Sequence, residues 1–173
     1  MKDYNMATDE LISAIRSHQM PPEYEPQNWR NQKANCYLYA LNARGFQNPE
    51  AIGICMPGCL IGKIQPPIVM SVKDIIYRMM LDLSRLNREM IPCDNPFSLP
   101  VDGYHIAIFV ARNGQDLHFR RQDADGGWSE KLGWEGQVRR VSEKELTTYS
   151  VRGVGVYDLI CYATIIKNEE GAP

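Results

Sequence analysis

The sequence predicts an α+β domain in which N-terminal helices pack on a C-terminal antiparallel sheet. Two observations predict it. Apolar residues at helical spacing fall within the first 90 residues, and β-prone runs separated by turn residues fill 104–166. Size is a third: 173 residues, 44% apolar and 23% charged, are the mix of one soluble domain with room for a core. The expected unit is a single domain over 1–173, with a mainly helical part at 1–90 and a sheet part at 104–166.

Leu11, Ile12 and Ile15 give the spacing of a first helix over Asp9–His18, capped by Thr8. Pro21, Pro22 and Pro26 make Met20–Pro26 a connector, because proline does not sit inside a helix. A second helix is expected over Cys36–Arg44, with Asn35 as its N-cap and Gly45 at C′. Phe46–Met70, rich in proline and glycine, reads as irregular. Ser71 and Asp74 resemble a capping box, and Ile75, Ile76, Met79, Met80, Leu83 and Leu86 then form the core-facing stripe of a third helix. Ile91–Gly103, with three prolines, reads as a loop.

The second half turns to strands. Tyr104–Ala111 and Leu117–Gln122 flank Asn113-Gly114, a strong hairpin turn. Asp123–Gly127 is a second turn, followed by a strand over Trp128–Leu132. Ser142–Glu145 is a capping box opening a short helix. Tyr157–Ile166 is the most apolar strand and is expected at the centre of the sheet.

Charge and composition exclude several functions. A net charge of -2 and a pI of about 5.9 do not suit a general nucleic-acid binder. No apolar run reaches the roughly 18 residues of a membrane helix, so no membrane partner is expected. Met1–Thr8 has no apolar signal-peptide core, which implies a cytoplasmic protein as synthesised, with any export by a signal-peptide-independent route. The five cysteines are odd in number and read as free thiols. Cys55 and Cys59 lack the second ligand pair of a zinc site, so neither metal nor cofactor is expected. Arg120-Arg121 and Arg139-Arg140 read as solvated strand edges.

The chemistry centres on Cys36. As the first helical residue after Asn35, it would meet the positive end of the helix dipole, which lowers a thiol's pKa, beside unpaired N–H groups able to hold an oxyanion. The plain alternative is a small buried core residue. Three histidines are present; His18 ends the first helix, and His105 and His118 lie on strands. A two-residue turn at Asn113-Gly114 sets His105 opposite Gln122 and His118 opposite Phe109. Both imidazoles then leave the same sheet face, about 13 Å apart. Two arrangements follow. Either His105 is the base and Gln122 orients it, or His118 is the base and the third strand supplies its orienting group. A three-residue loop at Ala124–Gly126 would pair Arg120 with Glu130, diagonal to His118; Glu130 suits a cross-strand ion pair with Arg120 equally well.

A helix-capping cysteine followed by a strand histidine resembles the order of the papain-like superfamily. His105-Ile-Ala-Ile-Phe-Val is similar to the His-Val-Gly-Ile-Tyr strand of bacterial NlpC-like cell-wall peptidases, whose plan CHAP amidases share. In the NlpC-like group a second histidine further on completes the site, near His118; in papain the third residue falls near Gln122. Asn-Cys-Tyr-Leu-Tyr-Ala-Leu, Asp-Leu-His-Phe-Arg-Arg-Gln and Gly-Gly-Trp-Ser-Glu-Lys-Leu-Gly also resemble a group of bacterial and phage proteins with Asn-Cys-Tyr-x-Tyr-Ala-Leu, His-aromatic-Tyr-Arg and Trp-Ser-His-Lys-Pro-Gly. The chain departs at Glu130 (His there) and Leu132 (Pro there), and the matches cover 35–42 and 103–133.

The resemblance implies a papain-like cysteine hydrolase, a thiol protease or amidase acting on a peptide or protein amide. Cys36 would be the nucleophile, His118 or His105 the base, and Gln122 or Glu130 the orienting group. The Cys36 N–H, with Asn31 or Gln32, would hold the oxyanion. A cell-wall peptide would suit a phage lysis factor or a bacterial effector, and an effector implies an immunity or inhibitor protein as partner. The alternatives are a non-catalytic binding module on the same fold, or a thiol deamidase or acyltransferase.

Overall fold

The computed structural model describes residues 9–30, 32, 34–45, 56–61, 71–133, 136–151 and 155–168. Their helices are α1 (Asp9–Arg16), α2 (Pro26–Trp29), α3 (Cys36–Ala40) and α4 (Val72–Arg85). The strands are β1 (Arg88–Pro92), β2 (Gly103–Ala111), β3 (Leu117–Gln122), β4 (Trp128–Lys131), β5 (Val138–Val141), β6 (Tyr149–Val151) and β7 (Gly155–Lys167). They form one seven-stranded sheet in the order β1-β7-β2-β3-β4-β5, with β6 also on β7, and every pairing is antiparallel. The architecture is α+β, and no described helix is long and apolar enough to cross a membrane.

Local chemistry explains the helices. The Asn35 side chain accepts from Leu38 N–H, which starts α3 at Cys36. The helix ends earlier than the expected Arg44. Asn42, at φ 50°, takes the left-handed position, and Ala43 N–H closes on Leu38 O while Asn42 N–H bonds Tyr39 O. That is a Schellman ending with Asn in glycine's usual place. Pro26 does not close a connector; it opens α2, where its missing N–H is no loss. Ser71 caps α4 through Asp74 N–H. Ile75, Met79, Leu83 and Leu86 of its stripe are buried, but Met80 is half exposed, because it lies at the margin of the packed face. The Thr8 cap, Cys55 and most of Phe46–Met70 lie outside the described residues, except for Met56–Ile61 with its 3₁₀ turn at Cys59–Ile61.

Alternation along the strands gives the sheet two differently covered faces. On the helix face Tyr37 packs against Phe119 with ring centres 5.0 Å apart, and Tyr39 shares a 2.7 Å hydrogen bond with Ser129. On the second face Phe109, Trp128, Leu146 and Tyr157 form a smaller core, closed by the segment 142–151. The expected hairpin registers are present: Phe109 pairs with His118, and Arg120 with Glu130. The expected Ile91–Gly103 loop begins later, because Arg88–Pro92 pairs with Ala163–Lys167 as strand β1.

The Arg120-Arg121 pair does not lie on a solvated edge as expected, whereas Arg139-Arg140 lies on the edge strand β5 with both side chains partly exposed. Arg120 and Arg121 are each 1% exposed. Arg121 donates to Asp123, to the carbonyls of Tyr39 and Glu23 and to Asn42, with its guanidinium 3.9 Å from the Tyr39 ring centre. Arg120 does the same work on the other face, through Glu130 and the carbonyls of Glu145 and Thr148. Neighbours on one strand, they project to opposite faces, and both faces are covered.

Asp82 is another buried charge with a structural task. Its carboxylate accepts from Tyr37 OH and from the N–H groups of Gly58 and Leu60, which ties the 3₁₀ turn to α3 and α4. Burial, opposed by these donors, raises its pKa from 3.8 to about 6. The folded protein therefore holds this proton more tightly than the unfolded chain. Through this group, stability is greatest below pH 3.8 and is lost as pH rises through about 6, by about 3 kcal/mol in all. Asp82→Asn is expected to remove that slope, read as the difference in urea midpoint between variant and parent from pH 4 to 7.

Candidate active site

Cys36 and His118 line one cleft of about 1110 Å³, together with Asp116, Tyr149, Tyr157 and Leu132. The cleft lies where β4 stops short. The pairing of β3 with β4 covers only Arg120, Arg121 and Gln122, so β4 leaves Leu117–Phe119 without a partner on that side. Cys36 comes to this stretch, with its Sγ 3.8 Å from Leu117 O. His118 is reached from the second face, one residue along the same strand.

His118 is tightly held. Its Nε2 lies 2.7 Å from Glu130 Oε2, and its ring stacks on Tyr149 at 3.8 Å and 5°. Glu130 Oε2 also accepts from Arg120 Nε at 2.7 Å, and Oε1 lies 2.5 Å from Arg139 Nη2. Burial alone would raise the Glu130 carboxyl, but His118 and Arg120 hold it down at about 2. An ionised carboxylate only accepts, so Nε2 carries the hydrogen and Nδ1 is the basic nitrogen. Burial pushes His118 below the ordinary imidazole value, and Glu130 opposes that shift.

The thiol departs from expectation. Cys36 is 8% exposed, and burial pushes its pKa up to about 12. The N–H groups of Phe119, Tyr37 and Cys36 bear on the sulfur and pull the other way, while Asp116 adds to the rise. Desolvation of an anion outweighs these donors, and the five residues of α3 sum to little dipole. Both shifts favour the neutral form, for the thiol and for the imidazole alike.

The other sequence candidates are placed elsewhere. Neither His105 nor Gln122 lines the cleft. His105 Nδ1 shares a 2.9 Å hydrogen bond with Thr164 Oγ1, and the Gln122 amide donates to Gly126 O at 3.3 Å, so Gln122 does not orient His105. The reason is distance along the sheet: Cys36, the first residue of α3, meets β3 at Leu117, and His105 and Gln122 stand at the other end. Gln122 is fully buried there. Gln32 accepts from Gly45 N–H and is absent from the cleft wall, and Asn31 lies outside the described residues. Tyr149 and Arg139 are the site residues that sequence reading missed. Tyr149 lies on a three-residue strand, and no periodicity marks it.

Among the described residues no group of three or more His, Cys, Asp or Glu is arranged to hold a metal ion. Comparisons with protein families, with curated proteins and with solved structures gave no match.

Proposed function

We propose that the protein is a thiol-dependent hydrolase of an amide bond, with papain-like packing of α3 on the sheet. One observation carries this reading: Cys36, at the start of α3, and His118, oriented through Nε2 by Glu130, line the same cleft. The first step moves the thiol proton to His118 Nδ1 as Sγ attacks the amide carbonyl carbon. The N–H of Cys36 faces the carbonyl oxygen as it gains charge. The C–N bond then breaks, and the amine leaves with the proton from Nδ1. A water gives its proton to Nδ1 and its oxygen to the thioester, which releases the acid and the free thiol. Attack requires Sγ to turn from Leu117 O into the cleft. A peptide or protein amide is the substrate class, and a cell-wall peptide fits the motif resemblance.

The burial of Cys36 favours a second reading, a binding module on the same fold without turnover. Alkylation of Cys36, followed by peptide mass spectrometry from pH 5 to 10, separates the two. In the hydrolase, Cys36 of the native protein reacts, His118→Ala slows it at least about tenfold at neutral pH, and His105→Ala leaves it unchanged. Inertness of Cys36 until the protein unfolds would overturn the hydrolase and leave the binding module.

A further inference from the structure

The two oxygens of the Glu130 carboxylate are divided. Oε2 faces inward and takes both His118 Nε2 and Arg120 Nε, each at 2.7 Å. Oε1 makes an ion pair at 2.5 Å with Nη2 of Arg139, a residue of the cleft wall. Arg120 is sealed in, but Arg139 is 42% exposed and has a second partner, Glu145 Oε1 at 2.8 Å from Nη1. Glu145 is also anchored at the start of its own turn, where its Oε2 accepts from the N–H and hydroxyl of Ser142. A chain of polar contacts thus runs His118, Glu130, Arg139, Glu145, from the buried imidazole to solvent.

We propose that Arg139 is a positioning residue for His118: by binding the outer oxygen of Glu130, it sets how strongly that carboxylate attracts a proton onto the imidazole. The inference rests on the reading of His118 as the base. A carboxylate flanked by two guanidiniums presents little net charge to a third neighbour. Arg139 therefore weakens, without removing, the support that Glu130 gives to an imidazolium, which suits a base that must start neutral and return its proton. The other groups bearing on His118 are Arg120, which opposes protonation, and Asp116, which favours it; Tyr149 covers one ring face. None of these reaches solvent through Glu130. Arg139 does, and Glu145 competes for it.

The competition gives two variants with opposite signs. Arg139→Gln releases Oε1, so the His118 titration midpoint rises by about half a pH unit or more. Glu145→Gln removes the competing charge but keeps a residue suited to the capping box, so Arg139 bears more fully on Glu130 and the midpoint falls. Arg139→Lys lies between Arg139→Gln and the parent. The measurement is the imidazole nitrogen shifts of His118 by long-range 1H–15N correlation from pH 4 to 9, on protein whose fold is verified by its thermal transition. Shifts of opposite sign support the proposal; shifts of the same sign, or an unmoved midpoint in Arg139→Gln, overturn it. The readout does not depend on turnover. Opposite shifts with an inert Cys36 would remove the hydrolase reading and leave the electrostatic inference standing.

Discussion

Replacing Glu130 with alanine is expected to cost about 3–5 kcal/mol of folding stability, because it leaves a sealed guanidinium without its counter-charge. Arg120 is 1% exposed, and its remaining partners are the backbone carbonyls of Glu145 and Thr148. His118 loses its Nε2 acceptor in the same step. Glu130→Gln keeps an acceptor for His118 and is expected to cost less. The pH dependence has a definite sign. The folded-state pKa of Glu130 is lowered from 4.5 to about 2, so its contribution is complete above pH 4.5 and is lost as pH falls toward 2. Urea unfolding of parent and variants at pH 7 and pH 3 measures both effects. A cost below about 1 kcal/mol at pH 7 would show that water reaches the network and stands in for the carboxylate.

The second large effect is on activity. Cys36→Ala and His118→Ala are each expected to lower kcat/KM for amide cleavage at least about 10³-fold, and the double variant no further than the worse single one. Non-additivity is the informative part, since two residues acting in one proton transfer fail together. His105→Ala is expected to keep full activity, because His105 bonds Thr164 away from the cleft. Amine release from peptidoglycan-derived peptides and from glutamine-containing proteins provides the assay. Independent, multiplicative losses would mean that the two side chains do not share a reaction.

Much of the site was legible in local chemistry. Asn35 announces the start of α3, and Asn113-Gly114 sets the register that pairs Phe109 with His118 and puts both strand histidines on one face. The loop at Ala124–Gly126 likewise aligns Arg120 with Glu130. Each of these depends on a few adjacent residues. The choice between His105 and His118 does not, because it depends on which end of β3 Cys36 meets. The burial of Arg120 and Arg121 was invisible for a related reason. Their partners include the Glu145 and Glu23 carbonyls, far away in sequence. Strands β1, β5 and β6 are three to five residues long, and β1 and β5 are as polar as loops. Only pairing makes them strands, β1 with the distant β7, and β5 and β6 with their sequence neighbours β4 and β7. The cap alone does not set the thiol's pKa, because a cap is local and desolvation is not.

The opposed burial of Arg120 and Arg121 has a consequence for how the chain reaches its native state. Sliding β3 by one residue against β2 would exchange its two faces. Arg120 would then enter the packing around Tyr37 and Tyr39, Arg121 would meet Phe109 and Tyr149, and each would lose the distant backbone carbonyls that hold it now. A purely apolar strand could tolerate such a slip as a near-degenerate competitor. Here the slipped form would bury two cations without those carbonyls, at several kcal/mol each. The two adjacent arginines thus widen the energy gap between the native pairing and its nearest misfolded alternative.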